Sequence, residues 1–60
     1  MVSEIFQLCI KFKSVERGFE YTETFYHKER NSCFRKKDER QLVNLDIYLG
    51  YSITMLILED

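Results

Sequence analysis

A chain of 60 residues with no proline, two glycines and 45% hydrophobic residues has the composition of one small folded domain and not of a disordered segment. Its formal net charge of -1 is close to neutral, and its longest unbroken apolar run, residues 55–58, is far below the ~18 residues of a membrane span. We therefore predict a single domain over residues 1–60 that has no membrane partner.

The residues able to bind a soft metal are Cys9, Cys33 and His27, fewer than the four ligands that close a zinc site, and the cysteines lack the Cys-x-x-Cys spacing. We expect no metal site and no cofactor. The N-terminal residues enter a strand pattern directly and do not form a signal peptide, so we expect a cytoplasmic protein with two reduced thiols. A disulfide between the two cysteines is the alternative.

Residues 4–13 predict the first strand, because apolar and polar side chains alternate with period 2. One face carries Phe6, Leu8, Ile10 and Phe12, and the other carries Gln7, Cys9, Lys11 and Lys13. Residues 14–18 end in a glycine, where a hairpin commonly needs a positive φ. Residues 19–28 predict the returning strand, with Glu23 interrupting its apolar face, which is typical of an edge strand or a bulge.

Residues 29–37 are polar and charged and predict a loop. Residues 38–50 favour a helix near 38–49, because Asp38 suits the N-cap and Gly50 suits the position after the last turn. Two polar residues in this segment, Asn44 and Asp46, are also unfavourable in a strand. The alternative is a strand, since apolar side chains alternate from Val43 to Leu49, and it would make the protein all-β.

If the segment is helical, one stripe faces the sheet and a second pair of apolar residues has no cover within the chain. The sheet-facing stripe consists of Leu42, Leu45, Tyr48 and Leu49. The uncovered pair is Val43 and Ile47. We interpret this pair as part of a binding surface; two scattered surface residues are the alternative interpretation.

Residues 51–58 form the most apolar stretch and predict the last strand, with apolar side chains on both faces. One helix can cover only one face, so a second copy would complete the cover. We therefore predict a homodimer. Its dimer and core residues are Ile53, Met55, Leu56 and Ile57.

The charge is unevenly distributed, because residues 28–40 contain six basic and three acidic residues, a net charge of +3, which leaves -4 for the rest. With Phe25, Tyr26 and Phe34 nearby for base stacking, this segment supports an alternative function as a small nucleic-acid-binding module.

Catalysis is not indicated. The single histidine, His27, lies in a strand of alternating aromatic residues, and no serine or cysteine has the sequence surroundings of an activated nucleophile. No glycine-rich phosphate loop is present in the sequence. We predict no catalytic residues and a protein that is not an enzyme.

A resemblance to a known family rests on three features. The predicted order is strand, strand, helix, strand in about 60 residues; the second strand ends in Tyr26-His27-Lys28; and Tyr48-Leu49-Gly50 leads into the last strand. In these features the chain resembles the small phage-encoded inhibitors of uracil-DNA glycosylase. The resemblance implies a homodimer that occupies the DNA-binding face of the enzyme, with acidic groups in place of phosphates and a hydrophobic pocket for an apolar side chain.

The sequence thus predicts an α+β fold with a small antiparallel sheet, one helix on one face, and pairing of sheet and helix in a homodimer. The predicted function is a phage or mobile-element inhibitor that blocks a host enzyme of DNA metabolism by protein contact. The predicted partner-binding residues are Val43, Ile47, Asp46, Tyr48, Asp38 and Glu39.

Overall fold

Three antiparallel strands and one helix make up the fold in a computed structural model that describes residues 2–59. The elements are β1 (Val2–Lys13), β2 (Glu20–His27), α1 (Arg30–Val43) and β3 (Ile47–Glu59). The sheet has the order β2-β1-β3, and α1 lies on one of its faces. This confirms the α+β fold and excludes the all-β alternative.

The hairpin of β1 and β2 follows the alternation read from the sequence. Its turn closes with hydrogen bonds from the N–H of Ser14 to the carbonyl of Phe19 and from the N–H of Gly18 to the carbonyl of Ser14, both 2.8 Å. Gly18 has φ +79°, a conformation that residues with a side chain rarely adopt. The glycine therefore lets the chain reverse where the sequence indicated.

The helix begins eight residues earlier and ends six residues earlier than predicted, at Arg30–Val43 and not at 38–49. Residues 29–37, predicted as a loop, supply Glu29 as its N-cap and its first two turns. Asp38, predicted as the N-cap, lies in the middle of the helix. The low apolar content of residues 29–37 is typical of a loop, but lysine, arginine and glutamate are themselves good helix formers.

Cationic side chains provide much of the contact between α1 and the sheet, because Cys33 is the only buried residue of the helix. The ammonium of Lys37 lies 4.8 Å from the ring centroid of Tyr51, and that of Lys36 lies 5.4 Å from the ring of Phe25. The guanidinium of Arg30 lies 5.3 Å from the ring of Phe6. The charged segment packs as a helix because each cation meets the negative face of an aromatic ring.

Asn44 ends the helix. It leaves the helical conformation, with φ -84° and ψ 119°, while its N–H still bonds to the carbonyl of Arg40 at 2.9 Å. Its side-chain oxygen accepts a hydrogen bond from the N–H of Asp46 at 2.8 Å, which shapes a short connection into β3. Asn44 and Asp46, the two residues that are unfavourable in a strand, thus lie in the connection between α1 and β3. Ile47 is the first residue of β3.

β3 begins four residues earlier than predicted and contains a bulge. Lys11 pairs with Gly50 and Phe12 pairs with Tyr48, so Leu49 is the extra residue. Gly50, predicted to follow a helix, has φ +146° inside this strand. The bulge depends on the glycine, because a side chain at this position would strain the backbone.

The core lies between β1 and α1. Its fully buried side chains are Leu8, Ile10, Phe12 and Cys33. The ring of Phe12 packs at 5.8 Å from that of Tyr21 and at 6.2 Å from that of Tyr48, so all three strands contribute to it. We call the helix-covered side of the sheet the inner face and the opposite side the outer face.

β1 and β3 continue past the end of β2 as a two-stranded ribbon. β2 pairs with β1 only from Phe6 to Lys13, whereas β3 pairs with β1 from Val2 onward. The described chain therefore extends to 46 × 19 × 13 Å. A ribbon of two strands has little core of its own, so its apolar side chains stay open to solvent.

Candidate interaction surfaces

Six exposed large apolar side chains lie at one end of the molecule, which we call the apolar end. Its members come from the β1–β2 turn, the last turn of α1 and the connection into β3: they are Val15, Phe19, Leu42, Val43, Leu45 and Ile47. Leu45 is 92% exposed and Leu42 is 84% exposed. Side chains of this size exposed together on a small domain are typical of a contact surface.

A hydrogen-bond network fixes the connection between α1 and β3 at the apolar end. The Tyr21 hydroxyl donates a hydrogen bond to one carboxylate oxygen of Asp46, and the other oxygen accepts a hydrogen bond from the backbone N–H of Val15 at 3.1 Å. The side-chain amide of Asn44 donates to the Tyr21 oxygen at 3.0 Å. The network joins β2, the hairpin turn and the connection, so the surrounding apolar side chains are presented by a fixed backbone.

The same network shifts two pKa values in opposite directions. The hydrogen bond from Tyr21 and the N–H of Val15 hold the pKa of Asp46 below its usual range. The hydrogen bond to the Asp46 carboxylate raises the pKa of Tyr21 above its usual value. Both shifts favour a charged carboxylate facing a neutral phenol, which is the arrangement that holds the connection in place.

β3 also has a free edge. Hydrogen bonding alternates along antiparallel strands, and the Ser14–Phe19 bond shows that even-numbered residues of β1 bond to β2. Odd-numbered residues of β1 therefore bond to the even-numbered residues of β3. The N–H and C=O groups of Tyr51, Ile53, Met55 and Ile57 point away from the sheet.

The predicted partner-binding residues are divided among three places. Val43 and Ile47 lie at the apolar end, where both are exposed. Asp46 lies beside them but is engaged in the network. Tyr48 packs against Phe12 on the inner face, so it contributes to the core and not to an exposed surface.

The two remaining predicted residues, Asp38 and Glu39, lie on the exposed side of α1. Asp38 pairs with Lys37 at 2.9 Å, and Glu39 pairs with Lys36 at 3.6 Å. The bond to Asp38 raises the pKa of Lys37. Pairs this exposed contribute little to stability, so both carboxylates remain available to another molecule.

The predicted dimer and core residues differ in burial. Ile53 packs against the core, whereas Met55 and Ile57 on the same inner face are exposed. Leu56 is half-buried on the outer face opposite Ile5. In a single chain, therefore, only Ile53 has a core role. The other three lie in or beside the ribbon.

The basic segment 28–40 does not form an open cationic loop. Three of its cations lie over aromatic rings, and Arg40 is bound by Glu23 on β2. The aromatic residues proposed for base stacking are separated: Phe25 lies under Lys36 on the inner face, and Tyr26 is on the outer face, where its hydroxyl accepts a hydrogen bond from Gln7 at 3.0 Å. The ring of Phe34, on α1, lies edge-on to that of Tyr51 at 6.2 Å. Since Phe25 and Tyr26 lie on opposite faces of the sheet, the three rings form no common stacking platform.

The two cysteines are free and lie on opposite sides of the sheet. Cys33 is fully buried under α1, and burial raises the pKa of its thiol. Cys9 is half-buried on the outer face, beside a shallow depression of about 420 Å³ also lined by Lys11 and Ser52. The sheet separates the thiols, so the alternative of a bridge between them is not compatible with this fold.

Sequence reasoning missed four members of the apolar end: Val15, Phe19, Leu42 and Leu45. The prediction that Leu42 and Leu45 belong to a stripe facing the sheet is wrong. Leu42 lies on the side of α1 opposite the buried Cys33, and Leu45 follows the end of the helix at Val43. An available signal was the placement of Val15 and Phe19 in or next to a tight turn, where large apolar side chains are rarely covered.

Among residues 2–59, no three His, Cys, Asp or Glu side chains are close enough together to hold a metal ion. Within the same residues, no helix has the length and apolar character needed to cross a membrane. Comparison with known proteins finds no matching family model, no similar curated protein and no similar solved structure.

Proposed function

We propose that this protein is a non-enzymatic inhibitor that acts by occupying the surface of another protein, and that the apolar end is its main contact. The observation that carries the proposal is the exposure of Leu42 and Leu45 beside four further apolar side chains. Burying such a side chain in a partner stabilises a complex by about 1.5–3 kcal/mol. The network around Asp46 keeps the entropy cost of binding low, because the backbone is already ordered.

The sequence resemblance supports a particular target class, a host enzyme of DNA metabolism such as uracil-DNA glycosylase. In that function the protein works in the cytoplasm of a cell infected by a phage or carrying a mobile element. Of the three carboxylates among the predicted partner-binding residues, Asp46 is bound within the chain. Asp38 and Glu39 are the two that can face an enzyme's DNA-binding surface.

We also propose that the protein is a homodimer in which β3 pairs with β3 of a second copy in antiparallel orientation. The outward N–H and C=O of Met55 can exchange hydrogen bonds with the same groups of the second copy. In that register Ile53 lies opposite Ile57 of the second copy on the same face. Each ribbon end would then be covered by the other chain, which removes an exposed apolar edge.

The dimer is tested by two substitutions at one position. Met55→Pro removes only an outward-pointing N–H, so the sheet within each chain should persist while the dimer is lost. Met55→Leu keeps the N–H and should remain dimeric. Sedimentation equilibrium at about 10 μM measures the mass, and a folded wild-type chain at the monomer mass of 7.3 kDa would refute the dimer.

The contact surface is tested by adding the purified protein to uracil-DNA glycosylase and measuring both binding and inhibition. Leu45→Asp should weaken both by about tenfold or more, because it places a charge in an apolar contact. Ser3→Asp, at an exposed position at the opposite end of the sheet, is the matched control and should inhibit like the wild type. Circular dichroism should show the wild-type fold in both variants.

The alternative function, a nucleic-acid-binding module using residues 28–40, predicts a different outcome. Binding to a single-stranded oligonucleotide would fall steeply with salt, and Lys28→Glu together with Arg35→Glu would abolish it. The positions of Arg30 and Lys37 over aromatic rings and the pairing of Arg40 with Glu23 favour the protein-contact function. Salt-dependent oligonucleotide binding without any inhibition of the enzyme would reverse that preference.

A further inference from the structure

We propose that the free edge of β2 is a second binding site, which takes an extended strand of a partner protein by β-strand addition. This inference is independent of the apolar end and of the dimer. It rests on the sheet order β2-β1-β3, which leaves one side of β2 without a neighbouring strand. In the β3-paired dimer, the two β2 strands would still be the outer edges of the sheet.

The hydrogen-bonding groups of this edge can be assigned from the hairpin register. Because Ser14 and Phe19 form a hydrogen-bonded pair, Tyr21, Glu23 and Phe25 direct their backbone groups to β1. The alternate residues direct theirs outward: they are Glu20, Thr22, Thr24 and Tyr26. Their N–H and C=O groups repeat every ~6.8 Å, a spacing that an extended backbone matches.

The edge has none of the features that usually prevent strand pairing. The chain contains no proline, and the pairing of β2 with β1 is continuous from Phe6 to Lys13 without a bulge. Its two acidic side chains are neutralised, since Glu20 pairs with Lys11 at 3.5 Å and Glu23 pairs with Arg40. No uncompensated charge on β2 therefore repels an incoming strand.

The side chains next to the edge define the chemistry of the incoming strand. On the outer face it would lie beside Thr22, Thr24 and Tyr26, which are all exposed and suit β-branched residues. On the inner face it would lie beside Phe25 and the ammonium of Lys36, which favour an acidic side chain. The partner is thus a segment that alternates β-branched and acidic residues, a different chemistry from the apolar β3 edge.

The test uses a six-residue peptide that alternates valine and glutamate, added to the full-length protein and followed by NMR. The backbone amides of Thr22, Thr24 and Tyr26 should shift and saturate, while those of Ile53 and Met55 stay unchanged. The same peptide N-methylated at the amides that face β2 should bind roughly tenfold more weakly or not at all, because only backbone donors are lost.

A pair of variants provides a second measurement. Thr24→Pro removes one outward N–H without removing a bond to β1 and should weaken peptide binding by about tenfold, whereas Thr24→Val should bind like the wild type. Equal binding of the N-methylated peptide, or no shifts at millimolar peptide, would overturn the proposal. Pairing of β2 with another copy, seen as assemblies larger than a dimer that Thr24→Pro dissolves, would overturn the choice of partner.

Discussion

Arg40 on the helix and Glu23 on β2 form a bidentate ion pair, in which Nε and Nη2 each donate a 2.9 Å hydrogen bond to a different carboxylate oxygen. The pair explains why a glutamate interrupts the inner face of β2. It also raises the pKa of the Arg40 guanidinium. Together with Cys33 and the cation–ring contacts, it holds an unusually polar helix on the sheet.

Breaking this pair should loosen the helix. Glu23→Gln leaves the guanidinium without a carboxylate, and Arg40→Met leaves the carboxylate without a cation, so each should lower the midpoint of urea unfolding. The double variant Glu23→Leu with Arg40→Met should recover much of the loss, because two apolar side chains can then pack together. A double variant less stable than both single variants would contradict this account.

Acid should destabilise the apolar end through Asp46. Its pKa is depressed in the folded state, so its stabilising contribution is complete above the unfolded-state pKa of about 3.9 and is lost as the pH falls through the lower folded-state pKa. Urea unfolding from about pH 6 to about pH 2 should show this loss. Asp46→Asn should be less stable than the wild type at neutral pH, and its stability should fall less in acid. If its stability falls in acid as much as that of the wild type, Asp46 does not cause the acid destabilisation.

The stabilising contribution of Tyr21 should depend on pH in the opposite way and should be lost in alkali. Its pKa is raised in the folded state, so its contribution is complete below the unfolded-state pKa of about 10 and is lost as the pH rises through the higher folded-state pKa. Spectrophotometric titration should show a phenol that ionises above the usual range of tyrosine, and this late ionisation should be absent from Tyr21→Phe. Wild-type and Tyr21→Phe curves that coincide above that range would be inconsistent with the hydrogen bond to Asp46.

Gly50 should be sensitive to substitution because of its backbone and not because of crowding. A Cβ at this position would meet no atom within 4 Å, but φ is +146°. Gly50→Ala should therefore cost about 1–3 kcal/mol of unfolding free energy, measured by urea titration. Gly18→Asn is the control: asparagine tolerates a positive φ in a turn, so its cost should be smaller.

The two thiols should react at very different rates. Cys9 is accessible on the outer face, whereas Cys33 is fully buried with a raised pKa, so little of its thiolate is present at neutral pH. A colorimetric thiol reagent should modify one cysteine quickly and the second only in urea. Cys9→Ser should remove the fast reaction. Rapid modification of both in the native protein would mean that the helix opens easily.

The sequence by itself determined the hairpin, and it favoured the α+β fold without deciding between that fold and the all-β alternative. The alternation in residues 4–13 specifies which side of β1 is buried, since a strand places successive side chains on opposite faces. The glycine at position 18 specifies the turn, because few other residues adopt its φ. Both signals are local, so neither depends on what packs against the hairpin.

Only the tertiary structure decided where the helix lies and which apolar residues remain exposed. Residues 30–43 lack a regular apolar stripe, so the sequence does not show which side of the helix faces the sheet. Lys36 and Lys37 contact the sheet through cation–π interactions with the rings of Phe25 and Tyr51, which lie on β2 and β3. Likewise, Leu42 is exposed because it lies half a turn around α1 from the buried Cys33, and Leu45 is exposed because it follows the end of the helix. Burial is set by which elements meet in space, and an apolar residue alone does not specify its neighbours.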